Sequence, residues 1–80
     1  MPTVLRRDGY RFFFYSNEGG EPGHIHIRKN AKEAKIWLHD LSVAINLGYT
    51  SRELNEIIRI VRTEHVRLRE AWDDFFGHRR

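Results

Sequence analysis

Hydrophobic and polar residues alternate along the first half of the chain in short runs, a pattern that β-strands with one buried face produce. Asp8-Gly9 separates the first two runs and is a strong signal for a two-residue hairpin turn. The pattern predicts an antiparallel meander of four short strands and a possible fifth, for which a helical turn is the alternative. The five runs are residues 3–7, 10–16, 24–29, 33–38 and 41–46.

The last third of the chain changes to helical spacing. Thr50 with Glu53 three residues later forms a capping-box signature, and Gly77 is a stop signal. Between them, residues 51–76 place their apolar side chains on one stripe. The sequence therefore predicts an α+β fold that is a single domain over residues 1–80, with one long amphipathic helix packed on one sheet face.

That predicted helix is longer than its sheet. At about 1.5 Å per residue it runs about 39 Å, whereas the strands span only about 17 to 23 Å. A cluster of exposed aromatic side chains on the projecting turns would mark a partner interface, and a symmetric homodimer is the simplest form of it. The alternative is a bend near Thr63 that packs these turns onto Phe12 and Phe14. The aromatic residues of these turns are Trp72, Phe75 and Phe76.

The hairpins also determine which side chains share a face of the sheet. A two-residue loop at Asn30-Ala31 pairs apolar with apolar residues on one face, whereas a three-residue loop does not. The face under the helix is predicted to hold Leu5, Phe12, Phe14, Ile25, Ile27, Ala34, Ile36 and Leu38. The opposite face is predicted to hold Val4, Arg6, Arg11, Phe13, Tyr15, His24, His26, Arg28, Lys35, Trp37 and His39.

This second face combines cations, imidazoles and aromatic rings, a composition that suits single-stranded nucleic acid. The alternative is an ordinary polar face turned to solvent. Arg6 lies opposite Arg11 in the first hairpin, and this repulsion would be relieved by an external anion or by an acid such as Glu18 or Glu21. The predicted nucleic-acid contacts are Arg6, Arg11, Phe13, Tyr15, Arg28, Lys35 and Trp37. Four of these are cations, so binding should weaken with salt with a log–log slope of about −3.

His24 and His26 point the same way from one strand. An imidazole with a pKa near ~6.5 can act as acid or base, so the pair is a candidate for phosphodiester cleavage. The alternative is that both rings only pack and hydrogen-bond beside Trp37. The pair has no third metal ligand at a suitable spacing, and Arg28 and Lys35 would repel a cation. We therefore expect no metal and no cofactor.

The overall composition agrees with an anionic partner inside the cell. The chain has 14 Lys+Arg against 11 Asp+Glu, a net charge of +3, and its pI is about 9.7. It has no cysteine, so disulfides and thiolate zinc sites are excluded. The N-terminus lacks the apolar segment of a signal peptide, and no apolar run approaches the ~20 residues of a membrane span. We expect a cytoplasmic protein with no membrane association.

One string of residues is distinctive, namely Glu-Pro-x-His-x-His-x-Arg, which stands here as Glu21, Pro22, His24, His26 and Arg28. With this string, residues 9–18 and the closing residues 72–77, nearly the whole chain resembles a small bacterial family catalogued as domain of unknown function 4160. Many members have a second proline where this chain has Gly23, so the loop here is expected to be looser.

The resemblance implies a genetic context and no established activity. Similar genes often lie beside another small gene, as in toxin-antitoxin pairs, so the product of a neighbouring gene is an expected partner. We therefore predict a toxin-antitoxin-like module that binds RNA through the second sheet face, with a ribonuclease toxin as its catalytic form. That form rests on architectural analogy alone. The alternative is a non-catalytic antitoxin or adaptor that works through its C-terminal aromatic helix.

Overall fold

The structure, a computed structural model, describes residues 3–16 and 19–77. Five strands form one open antiparallel sheet, and two helices follow it. The strand order is the predicted meander, the fifth run is a strand, and the α+β class is confirmed. The elements are β1 Thr3–Arg7, β2 Tyr10–Phe13, β3 His24–Lys29, β4 Lys32–Trp37, β5 Val43–Leu47, α1 Ser51–Thr63 and α2 His65–Phe76.

The registers predicted for both hairpins are confirmed next to their turns. The first register shifts between Thr3 and Leu5, so Val4 packs against the core, which corrects its predicted place on the opposite face. In the first, Asp8 and Gly9 have φ values of 53° and 85°, the left-handed conformation that an Asp-Gly hairpin turn requires. In the second, Ile27 pairs with Ala34 around the two-residue turn at 30–31. One face of the sheet therefore carries the apolar set that the sequence predicts, and this face packs against the helices.

The core lies between that face and the two helices. All eight predicted sheet residues are buried, together with Ile57, Ile60 and Val61 of α1 and Leu68 of α2. Burying each of these side chains larger than alanine contributes about 1.5 to 3 kcal/mol. Helix α1 begins with the predicted capping box, since the Thr50 hydroxyl accepts from the Glu53 amide at 3.1 Å.

The C-terminal helical segment is two helices, which corrects the prediction of one continuous helix over residues 51–76. The chain leaves helical geometry at Glu64, with φ −97° and ψ 16°. Just before it, the Thr63 hydroxyl donates to the Arg59 carbonyl at 3.0 Å, a bond that bends helices. The His65 imidazole then donates to the Leu38 carbonyl at 2.7 Å, which ties the start of α2 to the sheet.

Because of this break, the aromatic residues of α2 pack within the same chain. The Phe14 ring lies 5.2 Å from Trp72, 6.2 Å from Phe75 and 5.9 Å from Phe76, as the bent-helix alternative predicts. The loop after β2 also packs against α2. Gly19 lies so close to the Phe76 ring that an added Cβ would be only 2.8 Å from it. Phe75 stays 45% exposed. A partner role for the three α2 aromatics stays a prediction.

Tyr49 gives the fold a testable dependence on alkaline pH. Its hydroxyl donates to the carbonyls of Ile27 and Lys32 at 3.1 and 3.2 Å. Burial, with a smaller contribution from the Glu53 charge, raises the pKa of Tyr49 from 10.0 to about 12. Tyr49 is then protonated in both states below pH 10. Above pH 10 only the unfolded state loses the proton, so the free energy of unfolding should fall as pH rises.

We expect this alkaline loss to become shallower in Tyr49→Phe, and urea unfolding at a series of pH values measures it. Burial also raises the pKa of Tyr10, whose hydroxyl donates to Glu56 at 2.7 Å, so Tyr10 should supply the rest of the dependence. An identical pH profile in Tyr49→Phe and the wild type would contradict the assignment to Tyr49.

A candidate nucleic-acid interface on the open sheet face

We call the sheet face opposite the helices the open face, and it has a covered end and an accessible end. Three side chains of β3 follow this face in order: His24, His26 and Arg28. His24 is 0% exposed and His26 is buried, whereas Arg28 is exposed. Phe13 and Lys35 are also buried at the covered end. The sequence assigned these residues to the correct face without indicating that half of it is enclosed.

His26 is enclosed by aromatic rings at the covered end. The Phe13 ring stacks on its imidazole at 5.6 Å, and the Tyr15 ring meets it edge-on at 4.5 Å. Tyr15 is held in place because its hydroxyl donates to the Glu33 carboxylate at 2.9 Å. The same carboxylate lies 3.3 Å from His26 Nδ1. Two of the predicted base-stacking rings therefore pack on a histidine of their own chain.

His24 is enclosed from the other side. Its Nδ1 donates to the Pro22 carbonyl at 2.9 Å, and its ring packs against Trp37 and Trp72 at 5.6 and 4.8 Å. An acid or base must come within hydrogen-bond reach of the proton that it transfers. The His24 ring therefore hydrogen-bonds to the backbone of Pro22 and has no exposed surface that a substrate could reach.

Lys35 is committed to an internal ion pair as well. Its ammonium group lies 2.6 Å from the Glu21 carboxylate and 4.6 Å above the Trp37 ring. Glu21 belongs to the loop before β3, and this loop carries the carboxylate over the sheet. Of the four cations predicted to contact phosphate, Lys35 is therefore the one whose charge is already neutralised and largely shielded from solvent.

The accessible end brings three arginines together, and we call them the arginine row. Arg6 of β1 pairs with Arg11 of β2, as predicted, and Arg11 pairs in turn with Arg28 of β3. Directly opposed like charges destabilise a sheet. The second pairing could not be predicted, because the long loop between β2 and β3 does not fix their register as a two-residue turn does.

The arginine row is only partly neutralised by its own chain. Among the residues that the structure describes, Arg28 contacts Glu33 at 3.2 Å, and neither Arg6 nor Arg11 has a carboxylate within 4.0 Å. The Arg11 guanidinium lies 4.4 Å over the Phe13 ring, and its buried Nε makes no hydrogen bond to any residue within 3–16 or 19–77. Leaving a buried donor unsatisfied costs about 1 to 3 kcal/mol, more when it is charged. An external anion at this position would offset that cost.

A shallow pocket lies over the arginine row. It has a volume of about 220 Å³, several times the ~30 Å³ that one water molecule occupies. Two hairpin turns form its rim, because Gly9 and Asn30 line it together with the three arginines. Lys29 also lines the pocket, although it follows Arg28 directly in β3 and neighbouring strand residues point to opposite faces. Its place next to a turn is the only signal that could have revealed it.

The fold and this pocket define a small α+β domain with a cluster of cations at one end of an open sheet face. The family model described as Domain of unknown function (DUF4160) matches residues 9–73, and the chain belongs to this family. The matched region includes Arg11 and Arg28 and excludes Arg6. No curated protein and no solved structure matches the chain.

The described part of the chain has neither a metal-binding group of side chains nor a membrane-spanning helix. Within residues 3–16 and 19–77, no three His, Asp or Glu side chains are grouped so that they could hold a metal ion. None of the described helices has the length and apolar character needed to cross a membrane. His39, the third histidine of the open face, is exposed and lies 3.5 Å from Asp40.

Proposed function

We propose that the protein is the RNA-binding module of a toxin-antitoxin-like bacterial gene pair, and that the arginine row is its phosphate-binding site. One observation carries this proposal: three arginines lie in register across three strands, and only Arg28 has a carboxylate partner among the described residues. A row of this kind destabilises the free protein and is stabilised by an anion. The wider role rests on what the family resemblance implies, since similar genes often lie beside another small gene as in toxin-antitoxin pairs.

The arrangement favours contacts to the RNA backbone over contacts to bases. A guanidinium presents a planar fork of donors that matches two phosphate oxygens, so each arginine can form a bidentate contact. The rings of Phe13 and Tyr15 pack on His26, which leaves little aromatic surface for stacking beside the row. Phosphate contacts set position and affinity and carry little sequence information. We therefore propose binding with low sequence specificity.

We propose that the protein binds RNA without cleaving it. Cleavage by His24 and His26 would require Tyr15 and the loop that carries Glu21 to move off both rings, and their hydrogen bonds to Glu33 and Lys35 oppose that movement. Binding at the arginine row requires no such rearrangement. The roles of the two buried histidines in this proposal are to pack the covered end of the sheet and to hold its loop.

Salt dependence tests the proposal, since each phosphate contact with a single strand contributes a log–log slope of about −0.7. Three contacts give a slope of about −2, and affinity should fall about 20-fold when salt is raised fourfold. Fluorescence anisotropy with a labelled uridine oligomer of roughly 12 nucleotides measures this. Arg28→Gln should reduce the slope to about −1.4 by the same rule.

Lys35 distinguishes this site from the wider surface predicted by the sequence. If Lys35 also contacted phosphate, the slope would be about −3, and Lys35→Gln would lower it. We expect Lys35→Gln to leave the slope unchanged, because its ammonium group is bound to Glu21. Circular dichroism should confirm that each variant is folded. Binding that is insensitive to salt, or a slope that changes with Lys35 and not with Arg28, would exclude the arginine row as the RNA site.

A further inference from the structure

The pocket over the arginine row has the size and the lining of a site for a small charged group. Its lining residues are cations, glycine and asparagine: Arg6, Gly9, Arg11, Arg28, Lys29 and Asn30. None of them is apolar or aromatic, so the pocket offers no ring on which a base could stack. Its volume of about 220 Å³ lies below the roughly 300 Å³ at which pockets for small molecules begin. The pocket therefore fits a phosphate group without its base.

Lys29 adds a fourth positive charge to this pocket. Its ammonium group lies beside the first hairpin turn, since a Cβ on Gly9 would be 3.4 Å from Nζ, and it packs 4.8 Å over the Tyr10 ring. Among the described residues, the only carboxylate within 4.0 Å of the four cations is that of Glu33, which contacts Arg28. Four cations and one carboxylate leave a local excess of three positive charges.

We infer that the pocket receives the terminal phosphate of an RNA chain. This inference rests on the proposed function and names the part of the RNA that the site recognises. A terminal phosphate is a monoester that carries about 1.5 to 2 negative charges near pH 7, whereas each internal diester carries one. Lys29 matches the extra charge, so the terminal group adds a fourth contact to those of the three arginines.

The position of the pocket also favours an end of the RNA over its middle. Two hairpin turns form the rim on one side, at Gly9 and Asn30. On the other side, Arg11 covers the Phe13 ring, and both Phe13 and His26 are buried, so no exposed path continues along the strands. A terminal group reaches a pocket of this shape more readily than an internal phosphate, which needs room for the chain on both of its sides.

Fluorescence anisotropy with three internally labelled uridine oligomers of roughly 12 nucleotides tests the inference. One oligomer has hydroxyl groups at both ends, one has a 5′-phosphate and one has a 3′-phosphate. We expect a terminal phosphate to tighten binding about tenfold, the size of one charge-assisted contact. A gain with either phosphorylated oligomer supports the inference and identifies the end that the pocket receives. Equal binding of all three would overturn the inference and leave the proposed function intact, whereas no binding of any would overturn both.

Lys29→Gln tests whether the terminal phosphate lies in this pocket. We expect this variant to lose most of the preference for the phosphorylated oligomer. The matched control is Lys32→Gln, which removes the same charge from β4 at a side chain that is paired with Glu53 at 3.0 Å and lies outside the pocket. The control should keep the preference, and circular dichroism should show that both variants are folded. A preference that survives Lys29→Gln, or that both variants lose equally, would place the terminal phosphate elsewhere and overturn the inference.

Discussion

Phe14→Ala is expected to lower the free energy of unfolding by about 3 to 5 kcal/mol, the range for removing a buried aromatic ring. Phe14 is almost fully buried, and its ring touches Trp72, Phe75 and Phe76 of α2. The substitution would leave a cavity beneath the second helix. Because domains of this size have only about 5 to 15 kcal/mol of stability, much of it would be lost. Urea unfolding followed by tryptophan fluorescence measures the change.

Phe75→Ala is the control for this prediction. Phe75 belongs to the same cluster but is 45% exposed, so its loss should cost markedly less than the loss of Phe14. If the α2 aromatics served mainly as a partner interface, Phe14→Ala would have a small effect on the isolated chain. If Phe14→Ala lowered the free energy of unfolding by less than about 1 kcal/mol, the average effect of a substitution, this cluster would not be part of the core.

The sequence predicted the parts of the fold that short-range geometry controls. Two-residue turns at Asp8-Gly9 and Asn30-Ala31 leave one register each, and the alternation of side chains then assigns residues near the turns to a face. Val4 lies beyond a register shift, which alternation does not reveal, and it packs against the core. The capping box at Thr50 likewise fixed the start of α1. These features depend on residues close together in sequence. For that reason the opposition of Arg6 and Arg11 follows from the sequence alone.

The parts that were missed depend on contacts across longer stretches of chain. The loop between β2 and β3 carries Glu21 onto Lys35, and no local pattern indicates where such a loop packs. Enclosure of the covered end follows from that packing, as does the buried state of His24 and His26. The helix break near Thr63 is predicted only as an alternative, from the mismatch in length between helix and sheet. Thr63 is tolerated in a continuous helix, so the local sequence does not choose between the two.

The same difference in range explains why the proposed phosphate site differs from the one that the sequence predicts. Face parity alone gave four equivalent cations on the open face, spread over its whole length. The structure pairs Lys35 with Glu21 and places Arg11 next to Arg28, which concentrates the unneutralised charge at one end. The composition of the open face predicts RNA contacts along its whole length, whereas the structure concentrates them in one pocket over the arginine row.

Replacing the arginine row is expected to have the largest effect on RNA binding. The variant changes all three arginines to glutamine: Arg6→Gln, Arg11→Gln and Arg28→Gln. At roughly 1.5 kcal/mol for each charge-assisted contact, the low end of the usual range, the loss should be about 1,000-fold in affinity. Glutamine keeps the polar character of these positions and removes the opposed charges, so the fold should be retained. Fluorescence anisotropy with a labelled uridine oligomer at low salt measures the affinity.

The control variant removes three exposed arginines from α1: Arg52→Gln, Arg59→Gln and Arg62→Gln. Both triple variants change the formal net charge from +3 to zero, since each removes three positive charges. Long-range attraction to RNA therefore weakens equally in both, and only the variant of the arginine row loses direct phosphate contacts. We expect the control to retain affinity within a few-fold of the wild type. Equal losses in the two variants would mean that net charge alone drives binding, and the pocket would then have no specific role.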